Sequence, residues 1–164
     1  MVEKTTADGH TVQVAVIGVV TPGVPGWDGD KVASLEFQDT VEAVKKYVPE
    51  VKAQGADVVV VSAHTGQDPE GYEWNPADLQ ENAARSIAEN VSGVDVIVGG
   101  HSHVTDQVQT YYTNPDGREV LFTQPGYHAR FLSNVNIPLS LDENGEPVVD
   151  WTEAEKPSVT AMNA

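Results

Sequence analysis

The chain of 164 residues contains no cysteine, so disulfides and thiolate metal sites are excluded. Aromatic residues make up only 7% of the chain, and no apolar run approaches the roughly 20 residues that span a bilayer. Basic residues are also few, because 9 Lys and Arg stand against 25 Asp and Glu, for a formal charge of −16. This charge repels a phosphate backbone, so we expect no nucleic-acid polymer as a partner. Because no long apolar run is present, we also expect no membrane span.

The chain does have enough apolar sequence for the core of one domain, since 40% of its residues are hydrophobic. Valine-rich strand patterns alternate with helical patterns: strands at 11–19, 56–63 and 94–98, and helices at 40–54 and 77–91. This order predicts an α/β fold with a parallel βαβαβ core. Two turn-separated pairs of segments extend that core as antiparallel hairpins: 107–112 with 119–123, and 132–141 with 147–151. We predict a domain over 1–152 and a linker or chain end over 153–164.

Prolines set the predicted limits of the helices. Pro49 predicts a kink or a break in the first helix, because proline lacks the backbone donor of a helix interior. Pro76 predicts that the second helix opens near Ala77, with Leu79 turned inward. The segment 21–30, dense in proline and glycine, predicts a loop.

The third predicted strand ends in Gly99 and Gly100, followed by His101, Ser102 and His103. Glycine allows a sharp turn where the strand leaves the sheet. In open α/β sheets, ligands bind outside the carboxyl ends of the strands. Imidazole nitrogen is a common ligand of divalent metals, so the turn is a candidate metal site. The alternative is a solvated loop in which the histidines only form hydrogen bonds.

The second predicted strand repeats this design, because it leads directly into His64, Thr65 and Gly66. If the two strands are parallel neighbours, His64 and His101 lie at the same edge of the sheet. Alone, His64 also fits a hydrogen-bonded residue at a strand end. Together with His101 and His103, it favours a shared metal site.

Several segments carry a resemblance to a known family: 14–22, 46–50 (Lys-Tyr-Val-Pro-Glu), 55–66, 81–84 (Glu-Asn-Ala-Ala) and 93–103. They resemble the 5'-nucleotidase family of calcineurin-like metallophosphoesterases, and are most similar to its 2',3'-cyclic-nucleotide 2'-phosphodiesterase members, over about residues 10–151. The resemblance implies a layered α/β sandwich around a two-metal site. It also implies that His64 and His101 bind one divalent ion, that His103 binds the other, and that a nucleotide is the substrate.

The resemblance implies further residues on the substrate side of this site. His128 follows Gly126 where family members carry a glycine-rich turn, although Phe131 stands where the family's histidine aligns. Asn82 is a candidate for the site lining, with helix capping or a solvated helix position as its alternatives. The histidines do not distinguish Mn, Zn, Fe, Co, Mg or Ca as the two ions.

The family also has Asp-x-His, Gly-Asp and Gly-Asn-His motifs before the segment that matches Val14–Thr21, and this chain lacks that set. The chain therefore resembles the carboxyl-terminal half of the catalytic domain, and we assign it no catalytic residue and expect it to be inactive alone. The missing partners would be the amino-terminal half-domain and a carboxyl-terminal nucleotide-binding domain. The resemblance implies an exported parent protein, although this chain shows no signal segment. The alternative is a noncatalytic half-fold that forms a homodimer or binds a partner through its exposed apolar face.

Overall fold

The structure is a computed structural model, and it describes residues 1–106 and 108–163. Its strands are β1 (Val2–Thr5), β2 (Thr11–Val20), β3 (Val58–His64), β4 (Val96–Val98), β5 (Thr110–Thr113), β6 (Glu119–Thr123), β7 (Phe131–Asn136), β8 (Leu139–Leu141), β9 (Pro147–Val149) and β10 (Ser158–Asn163). Its α-helices are α1 (Val24–Asp28), α2 (Thr40–Ala53) and α3 (Ala84–Asn90), and short 3₁₀ turns lie at Gly29–Val32 and Pro76–Asp78. Among the helices of the described ranges, none is long and apolar enough to cross a bilayer.

A six-stranded sheet with the order β1-β2-β3-β4-β6-β5 organises the fold. Strands β2, β3, β4 and β6 are parallel, whereas β1 and β5 pair antiparallel at the two edges. The parallel βαβαβ core with antiparallel extensions is therefore confirmed. Pairing of Val20 with His64 places the carboxyl ends of β2 and β3 side by side.

Helix α2 forms because valines recur on one stripe and Asp39 caps its first turn, accepting a hydrogen bond from the Glu42 amide at 2.9 Å. The predicted break at Pro49 is wrong, since the helix runs through it to Ala53. Pro49 lies on the exposed side, where water can satisfy the carbonyl that it leaves unpaired. The buried stripe, with Val44 fully covered, holds the helix on the sheet.

The second helix starts later than predicted. Pro76 opens only a 3₁₀ turn, and Leu79 ends it in a left-handed conformation with φ of 46° and an exposed side chain. Helix α3 begins at Ala84, because the Ala83 amide donates to Thr65 Oγ1 at 2.9 Å and the Ala84 amide donates to the Gly66 carbonyl at 3.0 Å. The segment before α3 is thereby fixed to the loop after β3. The segment 21–30 is also not a plain loop, since it contains α1.

The two faces of the sheet are covered differently. Helices α2 and α3 pack on one face over a core that contains Val59, Val61 and Ile97. On the other face a smaller cluster around Val12 and Val58 packs against the β8-β9 hairpin. Farther along β2, Val16 and Val20 remain 54% and 45% exposed.

The carboxyl-terminal strands differ from the prediction in their partners. The hairpin of β5 and β6 is confirmed, except that Gln107, its predicted first residue, lies outside the described residues. The second predicted hairpin is only partly correct, because β8 pairs with β9 whereas β7 pairs with β10. The predicted linker 153–164 therefore contains a paired strand at Ser158–Asn163, and Ala164 lies outside the described residues.

Candidate metal centre

His64 is the last residue of β3, at the carboxyl edge of the parallel strands. Its carbonyl accepts a hydrogen bond from the Thr21 amide at 3.1 Å, which ties the end of β3 to the end of β2. The loop that follows is fixed in turn, because the buried Thr65 hydroxyl donates to the Glu81 carbonyl at 2.7 Å. His64 thus projects from a backbone that is held on both sides.

The turn after β4 is fixed by two glycine amides. The Gly99 amide donates to the Thr123 carbonyl at 2.8 Å, and the Gly100 amide donates to the Thr65 carbonyl at 3.2 Å. The next turns are tight, because His101 and His103 adopt left-handed φ values of 68° and 57°. Non-glycine residues rarely take this conformation, and such strain is typical of functional sites.

The buried side-chain amide of Gln124 supports the same turn from β6. With this amide assigned in the orientation that gives both of its atoms partners, its nitrogen donates to the Gly100 carbonyl at 3.2 Å, and its oxygen accepts from the Val104 amide at 2.8 Å and the His103 amide at 3.3 Å. The Ser102 hydroxyl lies 3.1 Å from the same amide group. One fully buried residue therefore satisfies the polar backbone of a strained turn, and we did not identify it from the sequence.

His64 and His101 meet at this edge, with ring centroids 5.2 Å apart. The ring of Trp27, on α1, also packs against His101, with a centroid distance of 5.1 Å. The Glu81 carboxylate accepts a hydrogen bond from His101 Nε2 at 2.7 Å. We assigned no role to Trp27 or Glu81 from the sequence, although Glu81 lies in a segment that carries the family resemblance.

His103 and His128 form a second group beside this pair, with ring centroids 5.9 Å apart. The Tyr127 ring contacts both, at 5.3 Å from His103 and 5.0 Å from His128. His128 and Ala129 also have positive φ values, of 56° and 54°. The predicted substrate-side residue His128 therefore lies next to a predicted metal ligand, on a strained turn that also presents Tyr127.

Asn82 lies close to the site but engages the backbone. Its Oδ1 accepts a hydrogen bond from the Gly66 amide at 3.0 Å. A Cβ atom on Gly66 would lie only 2.6 Å from that oxygen and 2.6 Å from Ser102 Oγ. Asn82, Gly66 and Ser102 thus pack together, where the loop before α3 meets the loops after β3 and β4.

Two acidic residues near the histidines in sequence, Asp95 and Asp68, are engaged in structural hydrogen bonds. The buried Asp95 carboxylate accepts a hydrogen bond from the Val59 amide at 2.8 Å, and burial raises the pKa of this carboxyl above its ordinary value. The buried Asp68 carboxylate accepts hydrogen bonds from the Ser86 amide, at 3.0 Å, and from its hydroxyl. Both carboxylates join a strand or loop to a neighbouring element.

Two short segments match the Asp-x-His and Gly-Asp patterns of the family: Asp8-Gly9-His10 and Gly29-Asp30. His10 directly precedes β2, at the amino end of a strand whose carboxyl end pairs with His64, and its Nε2 lies 3.8 Å from Asp8 Oδ2. Asp30 is exposed on the 3₁₀ turn after α1. Neither piece brings a carboxylate into the histidine cluster.

The histidines fit part of a metal centre by their chemistry, because His64 and His101 offer two imidazoles from neighbouring strands. Across residues 1–106 and 108–163, no group of three or more His, Asp or Glu side chains is arranged to hold an ion. A phosphoesterase centre with two ions also needs carboxylates to offset the repulsion between the cations. The described histidines could supply imidazole ligands to such a centre, but the described residues bring no set of carboxylates to them.

Sequence comparisons relate this chain to a capsule-synthesis family and to nucleotide phosphodiesterases. A family model described as "Bacterial capsule synthesis protein PGA_cap" matches residues 3–123. The 2',3'-cyclic-nucleotide 2'-phosphodiesterase/3'-nucleotidase of Haemophilus influenzae is 33% identical over 150 residues, which cover 84% of this chain and 22% of that protein. The PGA biosynthesis protein CapA of Bacillus subtilis is 41% identical over 56 residues, covering 34% of this chain and 13% of CapA.

Solved structures agree on the fold. The calcineurin-like phosphoesterase YfkN from Bacillus subtilis superposes with a TM-score of 0.76 at 23% identity, covering 98% of this chain and 49% of that structure. The chain thus spans about a fifth of the Haemophilus relative and about half of the YfkN structure. With the resemblance to the nucleotidases confirmed, the chain belongs to the family described as bacterial capsule synthesis protein PGA_cap and has the calcineurin-like phosphoesterase fold.

Proposed function

We propose that this chain forms part of the catalytic domain of an exported, metal-dependent phosphoesterase that hydrolyses nucleotides. The observation that carries the proposal is the approach of His64 and His101 to 5.2 Å at the carboxyl ends of neighbouring parallel strands. This edge is where α/β sheets bind ligands. The 84% of the chain that matches a relative named as a nucleotidase supports the same chemistry.

Each histidine has a separate role in this proposal. His64 and His101 bind one divalent ion through their imidazole nitrogens, and His103 binds the other. When bound, a pair of ions supplies a Lewis acid for the phosphate ester and lowers the pKa of a bound water. His128 and Tyr127, which pack against His103, contact the substrate. Asn82 positions the loop of Gly66 beside the histidines.

We further propose that the chain alone is inactive. Its histidine cluster contains Glu81 but none of the bridging carboxylates that hold two cations together, and Asp68 and Asp95 are occupied by backbone partners. In this proposal, an amino-terminal half-domain supplies those carboxylates and a carboxyl-terminal domain binds the nucleotide. The chain spans 22% of its Haemophilus relative, which leaves length for both.

The choice of substrate rests on how much of the chain each relative matches. The description of the family names capsule synthesis, and CapA matches 34% of the chain. The nucleotidase of Haemophilus influenzae matches 84% of the chain. This breadth favours a nucleotide over a capsule precursor as the substrate.

The test compares the chain with a longer protein that extends it by the segments its relatives have on either side. With added Mn²⁺, the longer protein should hydrolyse 2',3'-cyclic AMP, 3'-AMP or 5'-AMP, and His101→Ala should abolish this turnover. His10→Ala is the matched control, because His10 lies at the opposite end of the sheet and should leave turnover unchanged. Turnover by the isolated chain would contradict its proposed inactivity, and no turnover by the longer protein would contradict the nucleotidase function.

The exposed sheet face favours a second candidate, a noncatalytic half-fold that self-associates. Val16 and Val20 leave apolar surface uncovered on β2, and such surface favours association. Sedimentation velocity over a range of concentrations tests this candidate. A dimer that Val16→Lys disrupts would support it, and a monomer at every concentration would exclude it.

A further inference from the structure

We infer that Glu81 is a positioning residue for His101, and that it holds His101 with hydrogen on Nε2 so that Nδ1 is the nitrogen presented to a divalent metal. This inference deepens the proposed function and rests on its assignment of His101 as a ligand. It names the residue that sets the ligand's tautomer and the ring atom that binds. Both follow from one contact in the structure.

The contact is short and its direction is fixed by chemistry. His101 Nε2 lies 2.7 Å from Glu81 Oε1. A carboxylate can only accept a hydrogen bond, so the imidazole nitrogen must carry the hydrogen. In a neutral imidazole, the other nitrogen then holds the lone pair that a metal requires. Metal-binding histidines commonly donate their second N–H to a carboxylate in this way.

The surroundings of His101 keep this contact in place. The ring contacts those of Trp27 and His64, with centroid distances of 5.1 Å and 5.2 Å, and the His101 side chain is only 18% exposed. The backbone of Glu81 is anchored by the hydrogen bond from Thr65 Oγ1 to its carbonyl. A fixed carboxylate beside a confined ring leaves His101 little freedom to flip or to exchange its tautomer.

Glu81 has no other assigned task that would explain its position. Its side chain is 46% exposed, so water could satisfy the carboxylate. The carboxylate nevertheless forms a hydrogen bond with His101. The segment before α3 follows an irregular path that brings Glu81 to the ends of β3 and β4.

The first experiment reads the tautomer in the metal-free chain. Long-range proton-nitrogen NMR spectra of ¹⁵N-histidine-labelled protein, at a pH where His101 is neutral, identify which ring nitrogen carries hydrogen. We expect the Nε2–H form in the wild type and in Glu81→Gln, whose side-chain oxygen still accepts, and a mixture of tautomers in Glu81→Ala. A wild-type His101 with hydrogen on Nδ1, or an unchanged tautomer in Glu81→Ala, would overturn the inference.

The second experiment measures Zn²⁺ affinity by calorimetry, with Glu89→Ala on α3 as the control for loss of an exposed carboxylate. Loss of an outer partner of a ligand lowers metal affinity by about 10–100-fold, so we expect that loss in Glu81→Ala and near-wild-type affinity in Glu81→Gln. Equal loss in both variants would make Glu81 a direct ligand and overturn its positioning role. If the chain alone binds no Zn²⁺, the titration is made on the longer protein, whose failure to bind Zn²⁺ would contradict the proposed metal centre, while the tautomer result still decides the role of Glu81.

Discussion

Replacement of Gly99 by alanine should destabilise the chain, because the turn that carries His101 has no room for a Cβ atom at this position. An ideal Cβ on Gly99 would lie 2.4 Å from Phe122 Cε2 and 2.9 Å from Phe122 Cζ. Ordinary contact between carbon atoms begins at about 3.5 Å, so the ring or the backbone must move by about 1 Å. Phe122 is fully buried in the main core, where side chains pack closely and resist displacement.

Overpacking of this kind costs about 1–3 kcal/mol. For a chain of this size, each kcal/mol lowers Tm by about 2–4 °C. The neighbouring Gly100→Ala is the matched control, because a Cβ on Gly100 meets no atom within 4 Å. Both variants lose the same backbone freedom in the unfolded chain, a change that stabilises by about 0.4–1 kcal/mol. Their difference therefore isolates the steric cost.

Urea unfolding followed by circular dichroism gives the free energy of unfolding of each variant. We expect Gly99→Ala to be less stable than the wild type, and Gly100→Ala to be equal to it or slightly more stable. Equal stability of the two variants would refute the claim that Phe122 requires glycine at position 99.

Further predictions concern the polar groups around the turn. Gln124→Leu should lower the free energy of unfolding, measured with urea, by about 1–3 kcal/mol, because the Gly100 carbonyl and the Val104 amide lose their hydrogen-bond partner. An unchanged free energy would show that Gln124 does not support the turn. Burial raises the pKa of Asp95, so its contribution to stability is greatest below the unfolded pKa near 3.8 and is lost as pH rises through the folded pKa. Relative to Asp95→Asn, the wild type should therefore become less stable as pH rises through that window, and a difference that does not vary with pH would contradict this assignment.

The placement of His64 and His101 could be predicted from the sequence because it depends only on the parallel register. Valine-rich strands separated by helical patterns predict a parallel sheet, in which neighbouring strands point the same way. The residues that directly follow those strands then lie at the same edge of the sheet. The fold class follows from the same pattern. Both predictions rely on hydrophobic periodicity, which is the strongest signal in a single sequence.

The contacts of Glu81, Trp27 and Gln124 could not be predicted, because they depend on loop paths and on packing between distant segments. The path of the segment before α3 depends on hydrogen bonds with the loop after β3, which has no periodic signal in sequence. Strand β10 was missed for a similar reason, because its pairing with β7 spans a long sequence separation. At Pro49, tertiary packing of α2 outweighs a local preference that predicts a break.

The central claim is that His64 and His101 form part of one metal site, and calorimetric titration with Zn²⁺ tests it most directly. Wild-type protein and the His64→Ala, His101→Ala and His10→Ala variants are titrated under the same conditions. We predict that His64→Ala and His101→Ala each weaken Zn²⁺ binding, whereas His10→Ala, outside the cluster, binds like the wild type. Unchanged binding in both His64→Ala and His101→Ala would contradict the shared site.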